Sequence, residues 1–269
     1  MFKTSMAISP TPAIFAPLLF AGDWTSALDA AVDLGYDAIE ISVRDPENPA
    51  VVACAEGLRR RGLQLSAIAT GQSYYSDGWS PTSDDPEVRT LLDERMFRII
   101  NLASPWEALV VIGGVRGTLT GSDLEQGEQY ERAVHAVGQY AEYGLTKDVS
   151  IVIEPINRYE TNYINTIQDA LQFIGDVGRD NLGVLADTFH MNIEEADLAE
   201  SLRSAGDRIR HVQFTDSNRL AAGRGHINFP DLAAVLRESG YRGYLSTETL
   251  PLPDSRTAAE QAIEYFKTL

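Results

Sequence analysis

The sequence predicts an α/β chain folded as one (β/α)8 barrel. Three observations carry this. Strand-like and helix-like segments alternate through eight units in 269 residues, about the length typical of such barrels. Several strand segments are unbroken apolar runs, as expected of parallel strands covered on both faces. No linker or low-complexity segment divides the chain, so residues 1–269 are expected to form a single domain. An open doubly wound sheet is the competing architecture, and the regular count of eight units favours closure.

The elements follow in order. MAIS (6–9) is a weak strand, and DWTSALDAAVDLG (23–35) has helical apolar spacing with a glycine stop. DAIEIS (37–42) is a strand, PENPAVVACAEGLRRRG (46–62) a helix closed by glycine, and LQLSAIA (63–69) a strand. DPEVRTLLDERMFRIINLAS (85–104) is an amphipathic helix with Asp85 placed to cap it. ALVVIGG (108–114) is a short apolar strand before the helix 122–144, and SIVIEP (150–155) precedes the helix 166–178. NLGVLAD (181–187) is followed by the helix 196–206, and RIRHVQFTD (208–216) by the helix 229–240. GYLSTE (243–248) and a last helix (255–269) complete the eighth unit.

Composition narrows the function classes. The 39 acidic and 22 basic residues give a net charge of −17, which repels nucleic-acid backbones and anionic membranes. Cys54 is the only cysteine, so an internal disulfide and a cysteine-based zinc site are both excluded. The apolar stretch AIFAPLLFAG (13–22) is interrupted by Pro17, follows Pro10 and Pro12, and lacks the flanks of a secretory leader. No run approaches the ~20 apolar residues of a membrane span. A cytoplasmic protein with neither nucleic-acid nor membrane partners is expected.

The chemistry of such barrels sits at the C-terminal ends of the strands. There the fifth strand delivers Glu154, the sixth Asp187, the seventh Gln213 and the eighth Glu248. Three carboxylates brought together repel one another, and a divalent cation is the simplest compensation. An all-oxygen donor set suits Mn2+ first, with Mg2+ or Co2+ as alternatives. A lone acid at a strand end more often caps a helix or meets solvent. Three acids and a carboxamide at four successive strand ends are harder to explain so. Of the four histidines, His135 lies within a helix as a surface or packing residue. His190 follows Asp187 by three residues, and His211 is open between a satisfied core group and a substrate contact. The loop after the third strand carries Tyr74, Tyr75 and Trp79, suited either to covering a ligand or to loop packing; Arg116 stands near the fourth strand end.

EPINRYE, DTFHMNIEE, HVQFTDSNRLAAGRGHINF and STE, in this order and spacing, resemble the sugar phosphate isomerase/epimerase superfamily, the xylose isomerase-like TIM barrel group. Within it the ketose 3-epimerases of the tagatose and allulose type are the nearest pattern. The resemblance is specific from about residue 150 onward. It implies metal ligation by Glu154, Asp187, position 213 and Glu248, and substrate contacts from Glu160, His190 and Arg219, with His211 added as a candidate contact. Position 213 is Gln where those epimerases have His; a carboxamide oxygen can stand in for an imidazole at a hard ion.

The implied activity is a divalent-metal-dependent sugar isomerase or epimerase. Glu154 or Glu248 removes a proton α to a carbonyl, a metal-stabilised enediolate forms, and the other glutamate returns a proton. No further cofactor is implied. A lyase or dehydratase acting on a keto-sugar or keto-inositol is the alternative that Gln213 raises. A non-catalytic sugar-binding barrel is the non-enzyme alternative. An endonuclease IV-like activity is disfavoured by the charge and by the shortage of histidines. Free ketose, keto-inositol, uronate and sugar phosphate all satisfy these residues. Arg219 has a second reading as a surface partner of Asp216. Family members dimerise through the helical face, so a homo-oligomer is allowed.

Overall fold

The computed structural model describes residues 2–13 and 17–269; residues 14–16 of the apolar stretch 13–22 lie outside the described residues. Each unit pairs a strand with a following helix. The first is β1 (Lys3–Ile8) and α1 (Trp24–Leu34), then β2 (Ala38–Ser42) with α2 (Pro49–Arg61). β3 (Gln64–Ala69) leads into a short α3 (Gln72–Tyr75) and a long α4 (Pro86–Ala103). β4 (Leu109–Ile112) precedes α5 (Asp123–Leu145), and β5 (Ile151–Ile153) precedes α6 (Ile167–Val177). β6 (Leu182–Asp187) is followed by α7 (Thr188–Glu194) and α8 (Leu198–Ala205), and β7 (Ile209–Gln213) by α9 (Phe229–Glu238). β8 (Tyr244–Thr247) and α10 (Ser255–Phe266) close the chain.

The strands run parallel in sequence order and form a closed barrel, β8 pairing with β1 from Lys3↔Tyr244 to Met6↔Thr247. Closure rules out the open doubly wound alternative. The punctuation read from the sequence sets the helix ends. Asp85 accepts a hydrogen bond from Glu87 N at the start of α4, while Gly35 and Gly62 end α1 and α2 in the left-handed conformation. The expected strand 6–9 starts three residues earlier, at Lys3, because Thr4 and Ser5 are buried polar residues that disguise a strand. The expected strand 208–216 ends at Gln213. Beyond it the chain turns, held by Thr188 Oγ1 bonding to the carbonyls of Gln213 and Thr215. The short helix after β6 was not anticipated.

The main apolar core lies between the strands and the outer helices, with Ile39, Ile41, Leu92, Ile99, Val110 and Ile151 among its fully buried members. The barrel interior is divided. Ala67, Val111, Val152 and Leu185 from β3 to β6 make an apolar cluster. Ser5, Glu40, His211, Gln213 and Ser246 from β1, β2, β7 and β8 make a buried polar one, joined by Ser66 of β3 through Ser5. The functional side chains rise from this polar half and from its border with the apolar half.

Candidate active site

Each of the four strand-end side chains is buried. Glu154 directly follows β5, Asp187 ends β6, Gln213 ends β7 and Glu248 directly follows β8. Parallel pairing brings Asp187 and Gln213 level on neighbouring strands. Asp187 plays two roles with its two oxygens. Oδ1 accepts from Phe189 N and caps α7, while Oδ2 is buried with no hydrogen-bond partner among the described residues. Gln213 is likewise divided: Nε2 donates to Glu40 Oε1 at 2.8 Å, and Oε1 is buried without a partner among the described residues. Orphaned buried acceptors are uncommon, and each normally marks a missing partner. Ligand atoms of Glu154, Asp187 and His190 lie within 4.8 Å of one another.

The electrostatics match that crowding. Burial, reinforced by the Asp187 charge, pushes Glu154 up to about 8. Asp187 rises to about 7 through burial, against the opposing pull of Arg219. Glu248 stands well above the ordinary carboxylate range through burial and the charge of Glu154. Without a cation the site therefore keeps protons that ordinary carboxylates would have lost at neutral pH. The donor set fits a hard divalent ion: three carboxylates and one carbonyl oxygen, with Asp187 Oδ2 and Gln213 Oε1 having no other partner among the described residues.

His190 has a different role within the same group. Asn157 Oδ1 accepts from Tyr159 N at 3.0 Å, which turns its NH2 group toward His190; Asn157 Nδ2 then donates to Nδ1 at 2.8 Å. Nδ1 is thus the acceptor, and the neutral ring carries its proton on Nε2. Burial holds His190 well below its usual range, so its approaches of 3.6 Å to Asp187 Oδ2 and 3.9 Å to Glu154 Oε1 are those of a neutral donor, not of an ion pair. A protonated Nε2 has no lone pair to offer a cation.

Arg219 lies over the Phe189 ring, donates to Glu160 Oε1 at 3.1 Å and comes within 4.0 Å of Glu248 Oε2. Its guanidinium does not pair with Asp216, whose backbone carbonyl instead accepts from Arg219 N. Glu160 also accepts from Asn157 Nδ2. Glu154, Glu160, His190, Arg219 and Glu248 all line one cavity at the strand ends, together with Tyr75. Trp79 lies beneath Arg95, with the guanidinium 3.8 Å from the ring centroid, so the loop aromatics split between cavity and packing.

His211 does not line that cavity. It is fully buried in the barrel interior, with Nε2 2.9 Å from Glu40 Oε2. Arg116 also serves the scaffold: its buried guanidinium donates to the carbonyls of Gly113, Glu154, Tyr163 and Ile164. Two contributors were missed in the sequence. Glu40 was absorbed into an apolar strand, although a lone carboxylate between Ile39 and Ile41 was a visible signal. Gly113 adjoins the site so closely that a Cβ there would collide with Glu154 Oε2.

Comparison with known proteins shows the family and the fold. Residues 28–269 match the family model described as xylose isomerase-like TIM barrel. The L-ribulose 3-epimerase of Methylomonas sp. is 33% identical over 240 residues, covering 86% of this chain and 82% of that protein. The D-psicose 3-epimerase of Enterocloster bolteae is 28% identical over 236 residues, covering 82% and 75% respectively. The crystal structure of D-allulose 3-epimerase from Methylomonas sp. in complex with D-allulose superposes with a TM-score of 0.82 at 26% identity, over 100% of this chain and 98% of that one.

Proposed function

This chain belongs to the xylose isomerase-like TIM barrel family, and we propose that it is a divalent-metal-dependent ketose 3-epimerase. The observation that carries the metal reading is the pair of buried oxygens on Asp187 and Gln213 that have no partner among the described residues, set among the Glu154 and Glu248 carboxylates. Its relatives named as L-ribulose and D-psicose 3-epimerases support the choice of reaction. Glu154, Asp187, Gln213 and Glu248 would hold the ion, Mn2+ for preference, which supplies Lewis-acid stabilisation of negative charge on the substrate carbonyl oxygen.

The chain's own residues do the rest. β5 and β8 stand three strands apart around the closed barrel, so Glu154 and Glu248 reach a bound sugar from different sides. One removes the proton α to the carbonyl, and the other returns a proton to the opposite face of the enediolate, inverting the centre. His190 donates its Nε2 proton to a substrate oxygen. Glu160 and Arg219 hold hydroxyls and one another.

The charge of the cavity favours an unphosphorylated sugar. Four carboxylates line or border it, from Glu154, Glu160, Asp187 and Glu248, while Arg219 is engaged with Glu160 and Arg116 is spent on backbone carbonyls. A divalent ion neutralises two of those charges, and a phosphate dianion would restore the repulsion.

Incubation with Mn2+ and a panel of ketoses in D2O tests the reading. Deuterium should appear at C3 together with the 3-epimer, and positioned acid–base groups imply losses of ~10²–10⁴-fold in Glu154→Gln and Glu248→Gln. Dehydrated products, or no exchange by the Mn2+-loaded protein, would sink it.

A further inference from the structure

Glu40 lies beneath the four strand-end side chains, and nothing in the proposed chemistry uses it. Its carboxylate is 1% exposed, in the middle of β2, a position tolerable only if well hydrogen-bonded. Three side chains from β7 and β8 meet it. His211 Nε2 lies at 2.9 Å and Ser246 Oγ at 2.7 Å from Oε2, and Gln213 Nε2 lies at 2.8 Å from Oε1. His211 and Ser246 therefore anchor one oxygen, leaving the other to face the Gln213 carboxamide.

That carboxamide has two ends of opposite polarity, and Glu40 engages the NH2 end. The carbonyl end is left buried and, among the described residues, partnerless beside Asp187, its register neighbour, whose own Oδ2 is partnerless among them too. Turning the amide over would set its oxygen against a carboxylate oxygen and aim two N–H donors at the place where a cation must sit. We infer that Glu40 is a positioning residue, the acceptor that turns the Gln213 carbonyl oxygen toward the cation site. This rests on the metal-dependent reading above. It also states what position 213 requires while Glu40 faces it as a carboxylate: a neutral side chain with a donor at one end and a lone pair at the other. A carboxamide meets that requirement, and so does an imidazole. A carboxylate does not.

Calorimetric titration of metal-stripped full-length protein with Mn2+ alone tests the inference, with circular dichroism as the check on folding. The wild type should bind one Mn2+ per chain. Gln213→Glu adds a carboxylate, ordinarily a better ligand for a hard ion, but sets it against Glu40; it should bind at least ~10-fold more weakly, the scale seen when ligand-orienting partners are lost. Exchanging the two residues, Glu40→Gln with Gln213→Glu, restores one donor facing one carboxylate and should recover wild-type affinity. A purely structural role for Glu40 predicts no such recovery. Binding by Gln213→Glu as tight as wild type, or an exchanged variant no better than Gln213→Glu, would overturn the inference while leaving the metal site standing. A wild type that binds no Mn2+ would remove the metal reading itself. Should Gln213→Glu fail to fold, Gln213→His supplies the second test. It should keep Mn2+ and lose it at least ~10-fold when Glu40→Met is added; equal affinity in both would refute the positioning role.

Discussion

Glu154 can take its place because Gly113 has no side chain; a Cβ there would occupy the position of Oε2. Gly113 directly follows β4, and Gly113→Ala must displace the carboxylate oxygen, the end of a flexible side chain with which the new Cβ would collide. A shift of about 1 Å in a reacting group can cost ~10²-fold, so kcat/KM should fall by about that factor while the circular dichroism spectrum is unchanged. Wild-type kinetics in Gly113→Ala would show that Glu154 need not sit where it does. The Asn157–His190 contact makes a separate prediction. Asn157→Leu removes the shorter of the two hydrogen bonds to Nδ1 and leaves only the 3.4 Å one from the backbone N–H of residue 157, so the Nε2-protonated tautomer is held less firmly. An NMR measurement of the ring nitrogens should show wild-type His190 protonated at Nε2 and the variant mixed. At this scale the sequence exposed the side chains that end strands. It hid those whose importance comes from what lies across the barrel. Glu40 meets His211, Gln213 and Ser246 at sequence separations of 171, 173 and 206 residues, contacts that no local pattern encodes.

The elements were legible wherever burial followed a simple period. β4, β5 and β6 read as strands because both faces are covered, and α4 and α5 because one face is apolar. The start of β1 gives no apolar signal because Thr4 and Ser5 are buried hydroxyls on opposite faces of the strand, Thr4 Oγ1 donating to Asp37 Oδ2 and Ser5 Oγ lying 2.7 Å from Ser66 Oγ on β3. Loops carried the least signal. Arg116 stood out as a cation near a strand end, yet it ties the β4 loop to Glu154, Tyr163 and Ile164. Arg116→Met strips the charged donor from the Glu154, Tyr163 and Ile164 carbonyls, and Ile164 O keeps its backbone bond from Ile156 N. At ~1.5–3 kcal/mol for hydrogen bonds to a charged group, shared over several carbonyls, the loss should reach about 3 kcal/mol or more in urea unfolding. A loss under about 1 kcal/mol would mean that the loop is held by other contacts.

For the whole molecule the site is an electrostatic load. Asp187 at about 7 and Glu154 at about 8 both lie above the ~4 expected of unfolded carboxylates. Between those values the native state binds more protons than the unfolded one, so stability falls as pH rises from about 4 to 8. In EDTA the melting temperature should therefore drop between pH 5.5 and 8. Cation binding needs these groups deprotonated and releases their protons, so Mn2+ should raise the melting temperature more at pH 8 than at pH 5.5. A metal-free protein more stable at pH 8 than at 5.5 would contradict the assignment.

The pairing of β8 with β1 also governs how the chain is made. During synthesis β1 emerges before β2 and can pair with it early, but its other edge waits for β8, about 240 residues away. At ~5–20 residues per second that wait lasts roughly 10–50 s, during which a bare strand edge is open to the wrong neighbour. The site is completed just as late, since Glu154, Asp187 and Gln213 all belong to the second half and Glu248 directly follows β8. The nascent protein thus carries its greatest exposure to misassembly before it has any of its proposed chemistry, and β8 ends the first as it completes the second.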